Sequence, residues 1–434
     1  MRVTPYYIYI GKLEVRSFDN MAGLYIHIPF CESRCIYCGF YSTTSLKLRD
    51  AYIDALCKEM ALRPVVSEMG TDQQIQTIYL GGGTPSQLSS EQLMRLFDGV
   101  RLFLSKKRRG KSKESEEQRV KSEEFYCHIN PFEGMEITME CNPDDVTEDF
   151  CQTLKKLPVN RISMGAQTFS DKRLRFLHRR HNAQEVEQAV TRLRKAGIKN
   201  ISIDLMFGFP EETLEDWTSD IQHAIDLHVE HISAYSLMYE EGTALYKLLE
   251  QNKIQEINEE TSRSMYETLI DKLTSAGYIH YEISNFAKPG YHSRHNSSYW
   301  HEIPYIGLGA AAHSYRRNIM ENGKIEVTRS WNVDNIHEYM AKISQGVLPS
   351  EEERLDLSTR YNDLITTALR TSEGINLEWM RKEFGEAYLK QLLKEAEKKI
   401  ERGLMRLSHD RRNLTLTREG IYISDDIMSD FMIV

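Results

Sequence analysis

Short apolar runs alternate with longer amphipathic stretches over roughly the first 280 residues of the chain. The short runs are rich in β-branched residues and are bounded by turn residues, which is typical of buried strands. The longer stretches repeat apolar positions every three to four residues, as helices do when one face packs on a sheet. This alternation predicts repeated βα units and therefore an α/β fold with a parallel sheet.

Six strands are predicted, so the chain has too few βα units to close an eight-stranded barrel but enough for an open, partial (β/α)6 barrel. Ligands of such barrels bind at the carboxyl ends of the strands, and we expect the functional residues there. The predicted strands are Leu24–Ile28, Gln76–Leu80, Glu136–Glu140, Arg161–Gln167, Asn200–Phe207 and His231–Leu237, with helices at Arg49–Leu62, Glu91–Leu104, Ala183–Lys195 and Leu214–Leu227.

The pattern changes after about residue 350, where helices are followed by a hairpin-like pair of strands. This predicts a small C-terminal winged-helix-like domain, with a structural or interaction role rather than DNA binding. Its predicted elements are helices Arg360–Arg370, Leu377–Phe384 and Leu389–Arg402 and strands Met405–Ser408 and Asn413–Leu416.

The predicted organisation has four parts, with the partial barrel at 21–250, a barrel-completing segment at 251–350 and the C-terminal domain at 351–434. Residues 1–20 are either a loosely attached arm or lie before the native start, because Met21 directly precedes the first strand. Within the barrel, residues 105–124 are poor in apolar side chains and mixed in charge, which predicts a solvated surface insertion.

The charge, hydropathy and cysteine spacing of the chain argue against several classes of protein. The formal net charge of -9 over 434 residues argues against nucleic acid as the main partner, because phosphate binding needs a basic face. No apolar run approaches the ~18 residues that span a bilayer. Seven cysteines are an odd number, and Cys57, Cys127, Cys141 and Cys151 show no disulfide-like spacing. We therefore expect reduced thiols and a cytoplasmic location.

The other three cysteines, Cys31, Cys35 and Cys38, follow the first predicted strand with the spacing C-x3-C-x2-C. A structural zinc site needs four ligands, so zinc would require a further one such as His27. A four-iron cluster held by three thiolates instead leaves one iron open to a ligand that is not protein. We predict the iron–sulfur cluster, with zinc or a chance grouping of cysteines as the alternatives.

A glycine-rich turn, Gly81-Gly82-Gly83-Thr84, follows the second predicted strand. Three glycines remove every Cβ, so backbone groups there can approach a ligand closely. Alone the turn is a weak signal, because glycines end many strands. One unit after the cysteine motif, however, it can hydrogen-bond the amino group of a methionine moiety that chelates the open iron.

These motifs resemble a known family. The cysteine motif, with Tyr37 before its last cysteine, and the glycine-rich turn are similar to the radical S-adenosylmethionine (radical SAM) superfamily. The chain resembles more specifically the oxygen-independent coproporphyrinogen III oxidase-like group, from Leu24 to about Phe431. The resemblance extends over ECNP at 140–143, RISMGAQTF at 161–169, IDLMFGFP at 203–210, ISAY at 232–235, YEISNF at 281–286 and GLGA at 307–310.

The resemblance implies a radical SAM barrel that carries a [4Fe-4S] cluster and S-adenosylmethionine. The residue types suit this ligand, because a sulfonium ion with an amino acid head and a ribose needs carboxylates, an amide and an arginine nearby. Taken singly, a carboxylate such as Glu140 or Asp204 more often has only a structural hydrogen bond. The contacts to S-adenosylmethionine implied by the resemblance are Tyr25, Tyr37, Gly82, Gly83, Thr84, Glu140, Gln167, Arg179 and Asp204.

Two details separate branches of this group. The oxidases carry a further cysteine two positions after the third, where this chain has Phe40. The chain also has His295-Asn296-Ser297-Ser298-Tyr299-Trp300, which matches the HNxxYW pattern of the haem chaperones (HemW-type) in the group. Both features favour the haem-chaperone branch.

The HNxxYW motif predicts a haem contact, because histidine is the commonest protein ligand to haem iron and a Tyr–Trp pair offers flat apolar area. His295, Tyr299 and Trp300 are the predicted haem-binding residues. The alternative is an ordinary polar turn before a buried aromatic pair. The remaining candidates, His178, His181, His292, His301 and His313, are expected to be structural or surface groups.

The leading hypothesis is a haem chaperone that binds haem as cargo and transfers it to an unidentified acceptor protein. An electron donor and a homodimer are plausible partners, and a membrane would be reached only through a membrane-associated acceptor. The alternative is a radical SAM coproporphyrinogen III oxidase, in which a deoxyadenosyl radical abstracts hydrogen from a propionate before decarboxylation. The sequence assigns no catalytic residue and leaves enzymatic activity open.

Overall fold

The computed structural model describes residues 21–63, 74–108, 130–320 and 324–433, and side chains for all of these except 106–108. The predicted N-terminal extension, Cys127 and most of the predicted insertion at 105–124 lie outside the described residues. The strands of the larger sheet are β1 (Met21–Ile28), β2 (Gln74–Gly82), β3 (Glu136–Cys141), β4 (Arg161–Gln167), β5 (Asn200–Phe207), β6 (His231–Ser236), β7 (Ile279–Glu282), β8 (Asn285–Ala287), β9 (Tyr305–Leu308), β10 (His313–Ile319), β11 (Ile325–Asn332) and β12 (Ser350–Arg354).

Within the described ranges these twelve strands form one sheet, in the order β12-β11-β10-β9-β1-β2-β3-β4-β5-β6-β8-β7. The pairs from β1 to β6 are all parallel, which confirms the predicted fold class. A further strand, β9, pairs with β1 in parallel, and antiparallel strands extend the sheet at both edges.

The helices pack mainly outside this sheet and in the C-terminal part of the chain, and single 3₁₀ turns occur at Leu46–Leu48, Pro85–Gln87 and Pro143–Asp145. The helices are α1 (Arg49–Leu62), α2 (Ser90–Arg108), α3 (Glu148–Leu154), α4 (Asp171–Phe176), α5 (Ala183–Ala196), α6 (Leu214–Asp226), α7 (Ala244–Glu250), α8 (Glu259–Ser275), α9 (Arg294–Trp300), α10 (Ile336–Ser344), α11 (Leu357–Ala368), α12 (Leu377–Phe384), α13 (Glu386–Glu401), α14 (Arg418–Ile421) and α15 (Ser424–Phe431).

Alternation along β1 shows how the sequence builds two environments from one strand. Leu24, Ile26 and Ile28 are fully buried in the apolar core that also contains residues of α1 and α2. The intervening Tyr25 and His27 have opposite side-chain direction, since successive residues of a strand face opposite sides of the sheet. The helices thus cover one face, and polar and aromatic groups occupy the other, inside the partial barrel.

The helix ends follow ordinary capping chemistry. Asn182 and Glu185 form a reciprocal capping box at the start of α5, and Gly197 ends that helix in the left-handed region, with φ of 98°. Thr213 and Asp216 form the same arrangement at the start of α6. Each such cap contributes about 1 kcal/mol to helix stability.

The C-terminal part has its own buried cluster, which includes Tyr361, Ile365, Leu392 and Leu414. Its small sheet contains β13 (Ile375–Asn376), β14 (Met405–Leu407) and β15 (Asn413–Leu416), in the order β13-β15-β14. The sequence predicted only two of these strands, because a two-residue strand such as β13 shows no periodicity. No helix among the described residues is long and apolar enough to cross a membrane.

Candidate functional site

One cavity lies at the carboxyl-terminal side of β1 to β5, as expected for a parallel βα barrel. It brings together every residue predicted for the cluster and for S-adenosylmethionine, although these residues come from five strands and from the loops that follow them. The predicted residues that line it are Cys31, Cys35, Cys38, Tyr25, Tyr37, Gly82, Gly83, Thr84, Glu140, Gln167, Arg179 and Asp204.

The three cysteines lie on the loop between β1 and α1, and all are free thiols. Backbone bonds fix this loop: Cys31 donates its N–H to the Thr43 carbonyl oxygen at 3.0 Å, and Ile36 donates to Leu177 at 3.3 Å. Among the described residues, no group of three or more His, Cys, Asp or Glu is placed to hold a single metal ion. In a four-iron cluster each thiolate binds a different iron, so its ligands are spread more widely.

His27, the possible fourth zinc ligand, uses both ring nitrogens elsewhere. Its Nδ1 is 3.0 Å from the Tyr25 hydroxyl, and its Nε2 is 3.1 Å from the Tyr41 carbonyl oxygen. Burial lowers the pKa of His27 to about 4, which keeps the imidazole neutral at physiological pH.

The glycine-rich turn packs directly on the cysteine loop. A Cβ on Gly83 would lie 2.7 Å from the carbonyl carbon of Pro29, and a Cβ on Gly82 would overlap the His27 ring. Gly82 also has φ of 108°, a conformation that favours glycine. The sequence predicted glycines here for close approach to a ligand, but the structure shows that neighbouring protein atoms already exclude side chains.

Two carboxyl groups, each half-buried, line the inner part of the cavity. Glu140 accepts hydrogen bonds from the Tyr79 hydroxyl at 2.8 Å and from the Gly82 N–H at 3.2 Å. Burial raises the pKa of Glu140 to about 7 against the effect of these bonds, and the nearby Asp204 raises it further. Burial likewise raises the pKa of Asp204 to about 6, against hydrogen bonds from serine hydroxyls. A cationic ligand would restore both charges, so the pair favours a positively charged molecule.

Arg179 supplies the opposite charge in the same cavity. Its Nη2 donates to the Asn142 side chain at 2.6 Å and to the Gly165 carbonyl oxygen at 2.7 Å, and its Nη1 lies 3.5 Å from Cys35 Sγ. Its buried Nε has no hydrogen-bond partner among the described residues. A cavity lined by one guanidinium and two carboxyl groups fits a zwitterionic ligand that carries an additional positive charge.

The HNxxYW motif is not at this cavity. It forms the short helix α9 rather than a turn, and the first two N–H groups of α9 donate to the carboxylate of Glu136 at 3.1 and 3.0 Å. Glu136 is the first residue of β3, so α9 lies at the amino-terminal end of the strands, opposite the cysteine loop.

His295 points into the barrel from α9 and is 1% exposed. Its Nδ1 is 2.8 Å from Thr77 Oγ1, and its Nε2 is 2.9 Å from the Tyr299 hydroxyl. A neutral imidazole donates through one nitrogen and accepts through the other, which these two contacts satisfy. Burial, followed by the charge of Arg161, lowers the pKa of His295 to about 3.

The other predicted haem contacts are partly exposed. Tyr299 packs edge-on against Tyr305 at 4.7 Å between ring centroids, and the Arg370 guanidinium lies 5.3 Å from the Trp300 ring. Of the remaining histidines, His178 lines the same cavity as the three cysteines, and His313 is exposed beside Trp331. The other three, His181, His292 and His301, make hydrogen bonds or ring contacts.

Several residues of both sites were missed from the sequence. Asn142 lines the cavity two positions after the predicted Glu140 and directly past the end of β3, so its place after a strand was a usable signal. Thr77 and Tyr79 alternate with apolar residues along β2, which marks the inner face of the barrel. Glu136 gave no signal, because its contact with α9 spans 159 positions of sequence.

Two known families match separate parts of the chain. Residues 25–224 match the radical SAM superfamily, and residues 355–423 match the HemN C-terminal domain. The fold is similar to that of coproporphyrinogen III oxidase (HemN) from Escherichia coli, with a TM-score of 0.73, 20% identity and coverage of 96% of this chain and 91% of that one. At this identity the likeness concerns the fold alone.

Curated relatives cover nearly the whole chain. The haem chaperone HemW of Bacillus subtilis (strain 168) is 33% identical over 423 residues, which cover 95% of this chain and 99% of that protein. The haem chaperone HemW of Lactococcus lactis is 31% identical over 410 residues, covering 94% and 97%. That of Synechocystis is 35% identical over 364 residues, covering 81% and 78%.

Proposed function

The chain belongs to the HemW family of radical SAM proteins, and from this premise we propose that it binds haem and delivers it to an acceptor protein. The family implies a [4Fe-4S] cluster and S-adenosylmethionine. In the proposal, the chain carries both cofactors, binds haem and transfers it.

The cavity lined by the three cysteines, called the cofactor cavity here, supports the proposal that the chain carries the cluster and S-adenosylmethionine. Cys31, Cys35 and Cys38 would hold three irons, and the residues around them would hold S-adenosylmethionine at the fourth. When bound, this pair supplies a means of passing an electron to a sulfonium. The chain itself contributes the carboxyl groups of Glu140 and Asp204 for the positive charge and Arg179 for the carboxylate.

The haem assignment rests on the contacts of His295. A metal-binding histidine usually donates its other N–H to a protein acceptor, which orients the ring and fixes the tautomer. Thr77 Oγ1 is placed to accept the Nδ1–H of His295, and Nε2 then faces the hydroxyl of Tyr299. The low pKa keeps the ring neutral, as an iron ligand must be. Haem iron would bind Nε2 after Tyr299 has turned away.

Phe40 supports a chaperone over the oxidase. It is 73% exposed and lines the cavity beside the cysteine loop, at the position where the oxidases carry a further cysteine. The proposed partners are haem, an acceptor protein and an electron donor for the cluster. A cytoplasmic location and a homodimer remain predictions from the sequence.

Haem titration of single-residue variants tests the ligand assignment. We expect His295→Ala to lose the haem absorbance band of the wild type and to weaken binding at least tenfold, because the iron loses its protein ligand. His280→Ala is the matched control, since His280 is also stacked on an aromatic ring, at 4.3 Å from Phe286, but lies outside both sites.

Tyr299→Phe provides the opposite change. It removes the hydroxyl that competes for Nε2, so haem affinity should rise by about fivefold, the value of one modest hydrogen bond. Haem affinity that is equal in wild type and His295→Ala would disprove the assignment, and a loss of affinity in Tyr299→Phe would show that the hydroxyl contacts haem instead.

A further inference from the structure

The ring of His295 is held in a slot formed by two strands. On one side a Cβ on Gly23 would lie 3.2 Å from His295 Cε1, so this glycine leaves room for the ring. On the other side the ring stacks on Tyr79, with 5.1 Å between centroids and 27° between planes. Movement of His295 in the slot therefore displaces the Tyr79 ring, because protein interiors are close-packed.

Tyr79 also contacts residues that line the cofactor cavity. Its hydroxyl donates to Glu140 Oε1 at 2.8 Å, and Glu140 Oε2 accepts the Gly82 N–H. Its ring stacks on Tyr25, at 6.3 Å between centroids. Glu140, Gly82 and Tyr25 all line the cavity, whereas Tyr79 does not.

The register of the strands shows how one residue spans this distance. Gly23, Thr77 and Glu136 are in register across β1, β2 and β3 at the level of His295. Tyr79 is two residues further along β2, and Glu140 is four residues beyond Glu136 on β3. At about 3.3 Å per residue, the two sites are about 13 Å apart along the strands. Tyr79 fills the level between them.

We infer that Tyr79 is a positioning residue that couples the haem ligand to the cofactor cavity. Haem binding at His295 shifts the Tyr79 ring and hence Glu140, which changes the affinity for S-adenosylmethionine. Coupling between two sites is reciprocal, so S-adenosylmethionine changes the affinity for haem by the same factor. This inference rests on the proposed function for its ligands, but the contacts themselves do not require haem.

The test measures the dissociation constant of S-adenosylmethionine by anaerobic equilibrium dialysis on the cluster-loaded full chain, with and without haem. In the wild type we expect haem to change this constant by about fivefold, the low end of coupling between separate sites. Tyr79→Phe keeps the ring but loses the bond to Glu140. It should weaken S-adenosylmethionine binding about tenfold and reduce the effect of haem to none.

Tyr278→Phe is the matched control. Its buried hydroxyl donates to the Val229 carbonyl oxygen at 2.6 Å, away from both sites, so the fivefold effect of haem should persist. A fivefold effect that survives in Tyr79→Phe would overturn the inference. If Tyr79→Phe does not take up the cluster, Thr77→Val is the second variant, because it removes the bond that holds His295 Nδ1 in the slot. It should reduce the fivefold effect of haem, and an undiminished effect would overturn the inference.

A second arm works without haem. His295→Ala should weaken S-adenosylmethionine binding about threefold in the wild-type background and not at all in Tyr79→Phe, since coupled residues are not additive. Equal effects of His295→Ala in both backgrounds, or no effect in either, would contradict the coupling. Failure to bind haem, with this arm intact, would instead disprove the proposed function alone.

Discussion

At the scale of single residues, burial gives the cofactor cavity its character. Glu140 and Asp204 have the pKa values of their carboxyl groups raised toward neutrality, because burial penalises the ionised form. A ligand with a sulfonium and an ammonium group offsets that penalty only when the two carboxyl groups are ionised. Affinity for such a ligand must therefore depend on pH.

Glu140 sets the direction of that dependence. With its pKa raised to about 7, the carboxyl group is ionised above neutrality and increasingly protonated below it. We expect the affinity for S-adenosylmethionine to fall by about tenfold as the pH drops from 8 to 6. Glu140→Gln should bind more weakly at pH 8 and show a flatter profile. If both proteins have the same pH profile, another group is responsible for it.

The sequence predicted the residues of the cavity better than their contacts. Cys31, Gly82 and Glu140 stand at or just past the ends of strands, where parallel topology brings side chains together. Tyr79 lies mid-strand, and an aromatic residue there usually fills the core. Its contact with Glu140 depends on register between strands, which no local pattern contains.

At the scale of elements, α9 depends on a distant strand. The helix has only seven residues, too few to be stable alone, and its first N–H groups donate to Glu136 of β3. The HNxxYW segment gave no helical prediction for the same reason, since seven residues barely make two turns. By contrast Arg161–Gln167 and Arg49–Leu62 were predicted with their observed bounds, because their patterns are long and bounded by turns.

Glu136→Gln tests this dependence. The variant keeps the shape of the side chain but removes the charge that faces the amino end of α9, and Glu136 is only 7% exposed. We expect a loss of about 1–2 kcal/mol in the free energy of unfolding, measured in urea. Glu185→Gln at the exposed cap of α5 is the control, with an expected loss below about 1 kcal/mol. Equal losses would mean that the buried carboxylate has no special role at α9.

At the scale of the whole molecule, ion pairs to one buried carboxylate join the sheet to the C-terminal helices. Glu383 of α12 accepts from Arg317 of β10 at 2.6 Å and from Arg360 of α11, and its side chain is 3% exposed. Such a link across about 66 positions of sequence lies outside what periodicity can predict. The fold class itself was predictable, because it depends on the repeated βα pattern.

Glu383→Gln should destabilise the whole chain. The buried Arg360 and the half-buried Arg317 would lose their shared carboxylate, which costs about 3 kcal/mol. The free energy of unfolding in urea, followed by circular dichroism, measures this loss. Glu386→Gln is the matched control on the neighbouring helix, because its pair with Arg381 is exposed and contributes less than about 1 kcal/mol. A loss no larger than the control's would show that the link is not important for stability.

We propose that this radical SAM protein carries haem rather than oxidising a porphyrinogen. The most direct measurement supplies the cluster-loaded chain, anaerobically and with S-adenosylmethionine and reductant, with haem in one sample and coproporphyrinogen III in another. We predict one haem bound per chain, released to an apoprotein such as apomyoglobin, and no protoporphyrinogen. Conversion of coproporphyrinogen III to protoporphyrinogen, or no binding of haem, would contradict the claim.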